Sequence, residues 1–159
     1  VDLAELTRQI MSDLAVKSIS KHQSISFDTK QSTEEEQKFC TRANATLIGV
    51  LLRNLIDNAI RYCPQSANIE LSLYREHGTV VLQIADNGPG LSDQAMQKLG
   101  ERFFRVLGTH ESGSGLGWSI IKRIAEVSNI KVLTQHSSAQ GGLTVQLVFS
   151  EANPDRAVQ

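Results

Sequence analysis

Two carboxamides and a guanidinium fall close together in the stretch Leu51–Tyr62: Asn54, Asn58 and Arg61. Wound as a helix, at about 100° per residue, they lie within roughly 60° of one another. They border an apolar stripe of Leu47, Leu51, Leu52, Leu55, Ile56 and Ala59. Carboxamide oxygens suit Mg²⁺, and a guanidinium suits phosphate. The same pattern describes an ordinary amphipathic helix with polar flanks, and short patterns match by accident.

Three further segments change that balance. In Asp86-Asn87-Gly88-Pro89-Gly90 the carboxylate accepts hydrogen bonds only, so Asp86 can take the exocyclic amine of adenine. Gly88 and Gly90 remove side chains, letting backbone approach a flat ring. An Asn-Gly turn is the plainer reading of the same residues. Gly113-Ser114-Gly115-Leu116-Gly117 precedes a helix, where inward amides and the partial positive charge of a helix start cradle phosphate. Its spacing is not the dinucleotide fingerprint, and no Gly-Lys-Ser/Thr of a Walker A loop occurs. A flexible hinge would explain these glycines equally well. Phe103-Phe104-Arg105 reads as an aromatic anchor beside an arginine suited to phosphate.

These segments need a scaffold. Asp2 and Glu5 form a capping-box pattern ahead of Leu3, Leu6, Ile10 and Leu14 on one helical face. Extended stretches are predicted over 24–29 and 37–41, with a polar turn over 31–36 between them. The long helix starts at Asn44 or Thr46 and stops before Cys63-Pro64, because the residue before proline disfavours the helical region. Residues 68–75 and 80–85 alternate apolar and polar side chains around Glu76-His77-Gly78, an antiparallel hairpin signal. Ser92 caps a short helix over 93–99. A further helix over 116–128 carries Ile120, Ile121 and Ile124 on its apolar face. Strands over 131–134 and 143–149 are joined by a turn at Gln140-Gly141-Gly142. The pattern predicts an α+β two-layer sandwich with a mixed, mostly antiparallel sheet faced by helices. The hairpin argues against a doubly wound parallel sheet. One domain is expected over 1–150, with a frayed polar tail over 151–159.

The 159 residues suffice for one domain with a real core. A net charge of −1 gives no argument for nucleic acid or an anionic membrane, so an anion must be met by local charge or amides. Cys40 and Cys63 suggest neither a disulfide framework nor a zinc site. No run has the length of a transmembrane helix, and Val1-Asp2 reads as a point inside a longer chain.

Taken in order, Asn54–Asn58 with Arg61-Tyr62, Asp86–Gly90, Arg102–Arg105 and Gly113–Gly117 resemble the N box, first glycine box, F box and second glycine box of one family. That family is the catalytic ATP-binding domain of bacterial sensor histidine kinases, in the GHKL superfamily with the Bergerat fold. Gly100–Arg105 and Gly113–Ile120 are most similar to the QseC quorum-sensing kinases. The resemblance implies ATP and Mg²⁺ as ligands. It implies Asn58 and Asn54 on Mg²⁺, with Arg61 and Tyr62 along the nucleotide. Asp86 would face the adenine amine, with Asn87, Gly88 and Gly90 in the adjoining loop. Arg105 would approach the terminal phosphates, and Gly113, Ser114, Gly115, Leu116 and Gly117 would cradle them. Residues 106–112 would form the ATP lid.

Trp118 stands where the family often has Leu or Ile, a difference expected to affect packing. Leu143 replaces a small hydroxyl residue, leaving Thr144 as a substitute for a water-bridged adenine contact. His22, His77, His110 and His136 lack the sequence context of a phospho-acceptor. The resemblance therefore implies an acceptor histidine on a separate dimerisation domain, a homodimeric full-length kinase and a response regulator that receives the phosphoryl group. It implies a cytoplasmic domain of an inner-membrane sensor, tied to the membrane only through the rest of its parent. Two other functions use the same boxes: an ATP-hydrolysing member of the superfamily, with a carboxylate on the first box's helix, and a non-catalytic nucleotide-binding module.

Overall fold

The computed structural model describes residues 1–30, 39–99, 116–136 and 141–151. Five strands form one sheet: β1 (Ser24–Lys30), β2 (Asn68–Glu76), β3 (Thr79–Asp86), β4 (Lys131–His136) and β5 (Leu143–Ser150), in the order β1-β2-β3-β5-β4. β2 and β3 are the expected antiparallel hairpin, and β3–β5 and β5–β4 are antiparallel as well. β1 and β2 run parallel, which requires a crossover. Helix α2 (Ala45–Tyr62) lies in that crossover. The sheet is thus mixed and mostly antiparallel, as the sequence pattern predicts.

The helical layer holds α1 (Leu3–Ser20), α2 and α4 (Gly117–Val127), with the short α3 (Asp93–Lys98) near the site. α2 packs against α1 on one side and α4 on the other. Its buried stripe is Ile48, Leu51, Leu52, Leu55, Ile56 and Ile60. This corrects the predicted stripe at both ends. Ile48 falls near the stripe's centre while Leu47 falls roughly 100° away, at the edge, and Leu47 stays 37% exposed. Ala59 lies within the stripe but faces a cavity. On α4, Ile121 and Ile124 are buried with Ala125, while Ile120 is exposed. Leu71, Leu73, Leu82, Ile84, Leu147 and Phe149 complete the core from the sheet.

Local signals act as predicted at several boundaries. Asp2 accepts from the amides of Ala4 and Glu5, capping α1; Asn44 caps α2 through Leu47 N, and Ser92 caps α3 through Ala95 N. No return bond from Glu5 to Asp2 is found among the described residues, and the backbone around Asp2 pairs with 39–41. Leu3 N donates to Phe39 O, and Thr41 N donates to Val1 O. The extended stretch predicted over 37–41 lies outside the described residues at 37–38, and Cys40 and Thr41 form isolated bridges to Asp2 and Glu151. Glu151, at the start of the predicted tail, accepts from Arg75 Nε at 2.6 Å; residues 152–159 lie outside the described set.

The C-terminal end of α2 is held by the α1–β1 connection. Gln23 Nε2 donates to the carbonyls of Ile60, Cys63 and Pro64 at 2.9, 3.1 and 3.3 Å. Lys21 Nζ donates to Ile60 and Arg61 carbonyls, both at 3.0 Å. Gln23 is buried, so removing its amide takes the donor from the Cys63 carbonyl, while Ile60 O keeps Lys21 Nζ and Pro64 O keeps Ala67 N. Gln23→Ala is expected to destabilise the fold by about 1–3 kcal/mol in denaturant unfolding. Lys17→Ala, which removes an exposed ion pair to Asp57, is expected to cost below about 1 kcal/mol in the same measurement.

Candidate functional site

A cleft of about 790 Å³, counted out to its open mouth, lies between α2, the end of β3, the start of β5 and the first turn of α4. Asn58, Ala59 and Tyr62 form one wall with Leu55. Asp86, Pro89, Gly90 and Leu91 form another, and Trp118, Leu143 and Val145 close it. The interior is mainly apolar, with Asn58 and Asp86 as its convergent polar groups.

Asp86 is the last residue of β3 and is buried. Its Oδ1 accepts from Gly88 N at 2.9 Å and Leu143 N at 3.3 Å. Those amides come from the loop after β3 and from the neighbouring strand β5, so the sheet itself aims the carboxylate. Gly90 adopts φ +69°, a left-handed conformation suited to glycine. Gly142 packs so closely on Asp86 that an added methyl would overlap the Asp86 carbonyl and carboxylate oxygens.

Asn58 reaches across to the start of α4, where a methyl on Gly117 would lie 3.0 Å from both its amide atoms. Its Nδ2 is buried without a hydrogen-bond partner among the described residues. Leu116, the residue ahead of α4, supplies no side-chain cap, and a helix start of this kind suits an anion. The partnerless Asn58 N–H, facing this helix start, fits a phosphate oxygen, and the carboxamide oxygen of the same group is of the kind that would hold Mg²⁺.

Other predicted residues sit elsewhere. Asn54 Nδ2 donates to Val50 O at 2.8 Å, one turn back on α2, and does not line the cleft. Arg61 pairs with Asp57 at 2.9 Å, and Asp57 also pairs with Lys17 at 2.8 Å. Asn87 turns to β2: its Oδ1 accepts from Asn68 N at 2.6 Å, and its N–H donates to Asn68 O at 3.1 Å. Arg105, Gly113, Ser114, Gly115, His110 and the lid over 106–112 lie outside the described residues. His22 and His77 occupy positive-φ turns. His136 Nε2 lies 3.0 Å from Asp93 Oδ1 at the surface.

Two contributors are not visible in the sequence boxes, and one expected substitute does not contribute. Trp118 lines the cleft rather than only packing. Thr144 pairs with Ala85 and lies on the opposite face of β5 from Leu143 and Val145, so it does not replace the missing hydroxyl. Cys63 is the small polar group that borders Asp86. Burial, reinforced by the nearby Asp86 charge, pushes its thiol pKa up to about 12. The Cys63-Pro64 signal marked only the end of a helix.

Residues 43–153 match the family described as histidine kinase-, DNA gyrase B- and HSP90-like ATPase. The chain belongs to this family. The sensor protein QseC of Escherichia coli K12 is 40% identical over 101 residues, which cover 64% of this chain and 21% of QseC. The sensor protein kinase PmrB of Pseudomonas aeruginosa is 31% identical over 156 residues, 98% of this chain and 31% of PmrB. The chain thus spans a fifth to a third of these curated relatives. The mycobacterial sensor histidine kinase MprB shares the fold with a TM-score of 0.82 at 21% identity, covering 95% of this chain and 97% of that one. This ATPase-family domain is therefore homologous to the catalytic domains of sensor histidine kinases, and the α+β fold expected from the sequence is borne out. No helix among the described residues is long and apolar enough to cross a membrane.

Proposed function

We infer that the domain binds Mg-ATP and presents the γ-phosphoryl group to a histidine on a separate dimerisation domain. The phosphoryl group then passes to an aspartate of a response regulator. In this reading the parent is a homodimeric sensor kinase of the bacterial inner membrane, with residues 1–150 on its cytoplasmic side. Asp86 accepts the adenine amine, Gly88 and Gly90 leave room for the ring, and Tyr62 flanks the nucleotide. Asn58 holds Mg²⁺, and Arg105 and the Gly113–Gly117 segment attend the phosphates; Asn54 and Arg61, bonded to Val50 O and Asp57, stay outside the cleft. When bound, Mg²⁺ neutralises charge on the phosphate oxygens. The chain's own work is positioning and exclusion of water from the reacting end.

One observation carries phosphotransfer over hydrolysis. The α2 side chain that faces the cleft beside α4 is the carboxamide of Asn58. The carboxylate on that helix, Asp57, is held by Lys17 and Arg61 and does not line the cleft. A carboxamide cannot take a proton from water, so the helix offers a ligand where a hydrolase would need a base.

The test is calorimetric titration with a non-hydrolysable ATP analogue, with and without Mg²⁺. Trp118 is the only tryptophan and lines the cleft, so its fluorescence gives a second readout. Mg²⁺-dependent binding is expected, weakened roughly 10- to 150-fold in Asn58→Ala, the effect of losing one contact to a charged partner. Fast steady-state ATP hydrolysis by the chain would favour the hydrolytic alternative. A phosphohistidine formed on the isolated chain would overturn the assignment of the acceptor to another domain.

A further inference from the structure

The β5 wall of the cleft is aliphatic. Leu143 and Val145 line it, while Thr144 between them turns to the other face of the sheet and is buried there. Leu143 also adjoins the carboxylate, since its N–H donates to Asp86 Oδ1 at 3.3 Å. Among the described residues that line the cleft, Asp86 is the only charged one, and none is serine or threonine. Asn58 lies against Gly117 at the start of α4. The Cys63 thiol lies on the Gly88 side, where a methyl on Gly88 would sit 3.4 Å from Sγ. A thiol is only a weak donor and acceptor.

In a 6-amino purine, N1 is the ring atom next to the amine, on the same edge. A base that gives its amine to Asp86 therefore brings N1 close to the neighbours of that carboxylate. N1 is an acceptor, so reading it takes a donor, either a protein group or a water held by several polar partners. The amides of Gly88 and Leu143 are donors beside the carboxylate, but both are spent on Asp86 Oδ1. What Leu143 adds to the cleft is an aliphatic side chain, which offers a bridging water no partner.

We propose that Leu143 is a specificity-determining residue that leaves N1 unread, so that the cleft demands the exocyclic amine but accepts a purine with carbon in place of N1. This rests on the nucleotide reading above and adds to it a side chain outside the four sequence boxes. The rest of the ring is held by apolar contact, to which Trp118 and Val145 contribute.

The test measures dissociation constants for the Mg²⁺ complexes of ADP, of 1-deaza-ADP, in which CH replaces N1, and of purine riboside diphosphate, which keeps N1 and lacks the amine. The unaltered chain is compared with Leu143→Thr and Leu143→Val. Threonine and valine share a shape and differ by the hydroxyl, and each ratio is taken within one variant, so lost packing cancels. The unaltered chain is expected to bind 1-deaza-ADP within about threefold of ADP, and purine riboside diphosphate at least about tenfold more weakly, the scale of one hydrogen bond to a charged group. In Leu143→Thr the preference for ADP over 1-deaza-ADP is expected to rise about fivefold, the scale of one net hydrogen bond, and in Leu143→Val to stay unchanged. A preference above about threefold in the unaltered chain would overturn the proposal, and this arm decides alone if a variant does not fold. Equal ratios in the threonine and valine variants would overturn it too. Purine riboside diphosphate binding as tightly as ADP would instead remove the amine from Asp86, and absence of ADP binding would end the nucleotide reading itself, and this proposal with either.

Discussion

Asp86→Asn is expected to weaken ATP binding roughly 100-fold while leaving the domain folded. The Asp86 Oδ1 atom accepts two amides, from Gly88 and Leu143. Asparagine can keep its oxygen on those amides and so preserve the loop. Its other atom then becomes an NH₂ group, a donor facing the adenine amine, which is also a donor. A charge-assisted hydrogen bond is lost and a repulsive contact takes its place, together about 1.5–3 kcal/mol or somewhat more. Trp118 fluorescence or calorimetry reads the affinity, and thermal unfolding separates it from stability. Unchanged ATP affinity in a folded variant would remove Asp86 from the binding site.

Gly142→Ala is expected to have the next largest effect, through backbone rather than charge. The new methyl would overlap the Asp86 carbonyl and carboxylate, neither of which is the free end of a flexible chain. The start of β5 must move off β3. Stability is expected to fall by about 1–3 kcal/mol, as for other overpacked positions. ATP binding is expected to fall more than about tenfold, since a shift of that size loses a hydrogen bond to a charged group. Gly141→Ala is the matched comparison. Gly141 has φ +79° with open space around it, so an added methyl strains only the local backbone, at about 1–2 kcal/mol. That variant is expected to retain nucleotide affinity. Equal loss of binding in both would mean that backbone strain in the turn, not pressure on Asp86, is responsible.

These two glycines are adjacent, and nothing in the sequence separates them. The turn signal at Gln140-Gly141-Gly142 applies to both. What separates them is β5 lying beside β3, which brings Leu143 to Asp86 across 57 residues. Hydrophobic periodicity is local, so the elements and their order were legible. The hairpin, the capping residues Asp2, Asn44 and Ser92, and the stop at Cys63-Pro64 all act within a few residues. The parallel pairing of β1 with β2 was not legible, because strand partners are chosen by packing across the crossover.

The candidate site divides in the same way. By itself the sequence determined the family, the ordered boxes, and a helix carrying Asn58 near an apolar stripe, since each is a matter of residue type and spacing along one segment. Spacing also grouped Asn54, Asn58 and Arg61 on one edge. Only the tertiary structure distinguished them: Asn58 meets α4, Asn54 bonds back to its own helix, and Arg61 is drawn to Asp57 beside α1. Cys63, Gly142 and Trp118 entered the site for the same reason. A cleft is made where segments distant in sequence converge, and the short contacts that aim a carboxylate exist only once the sheet has brought those segments together.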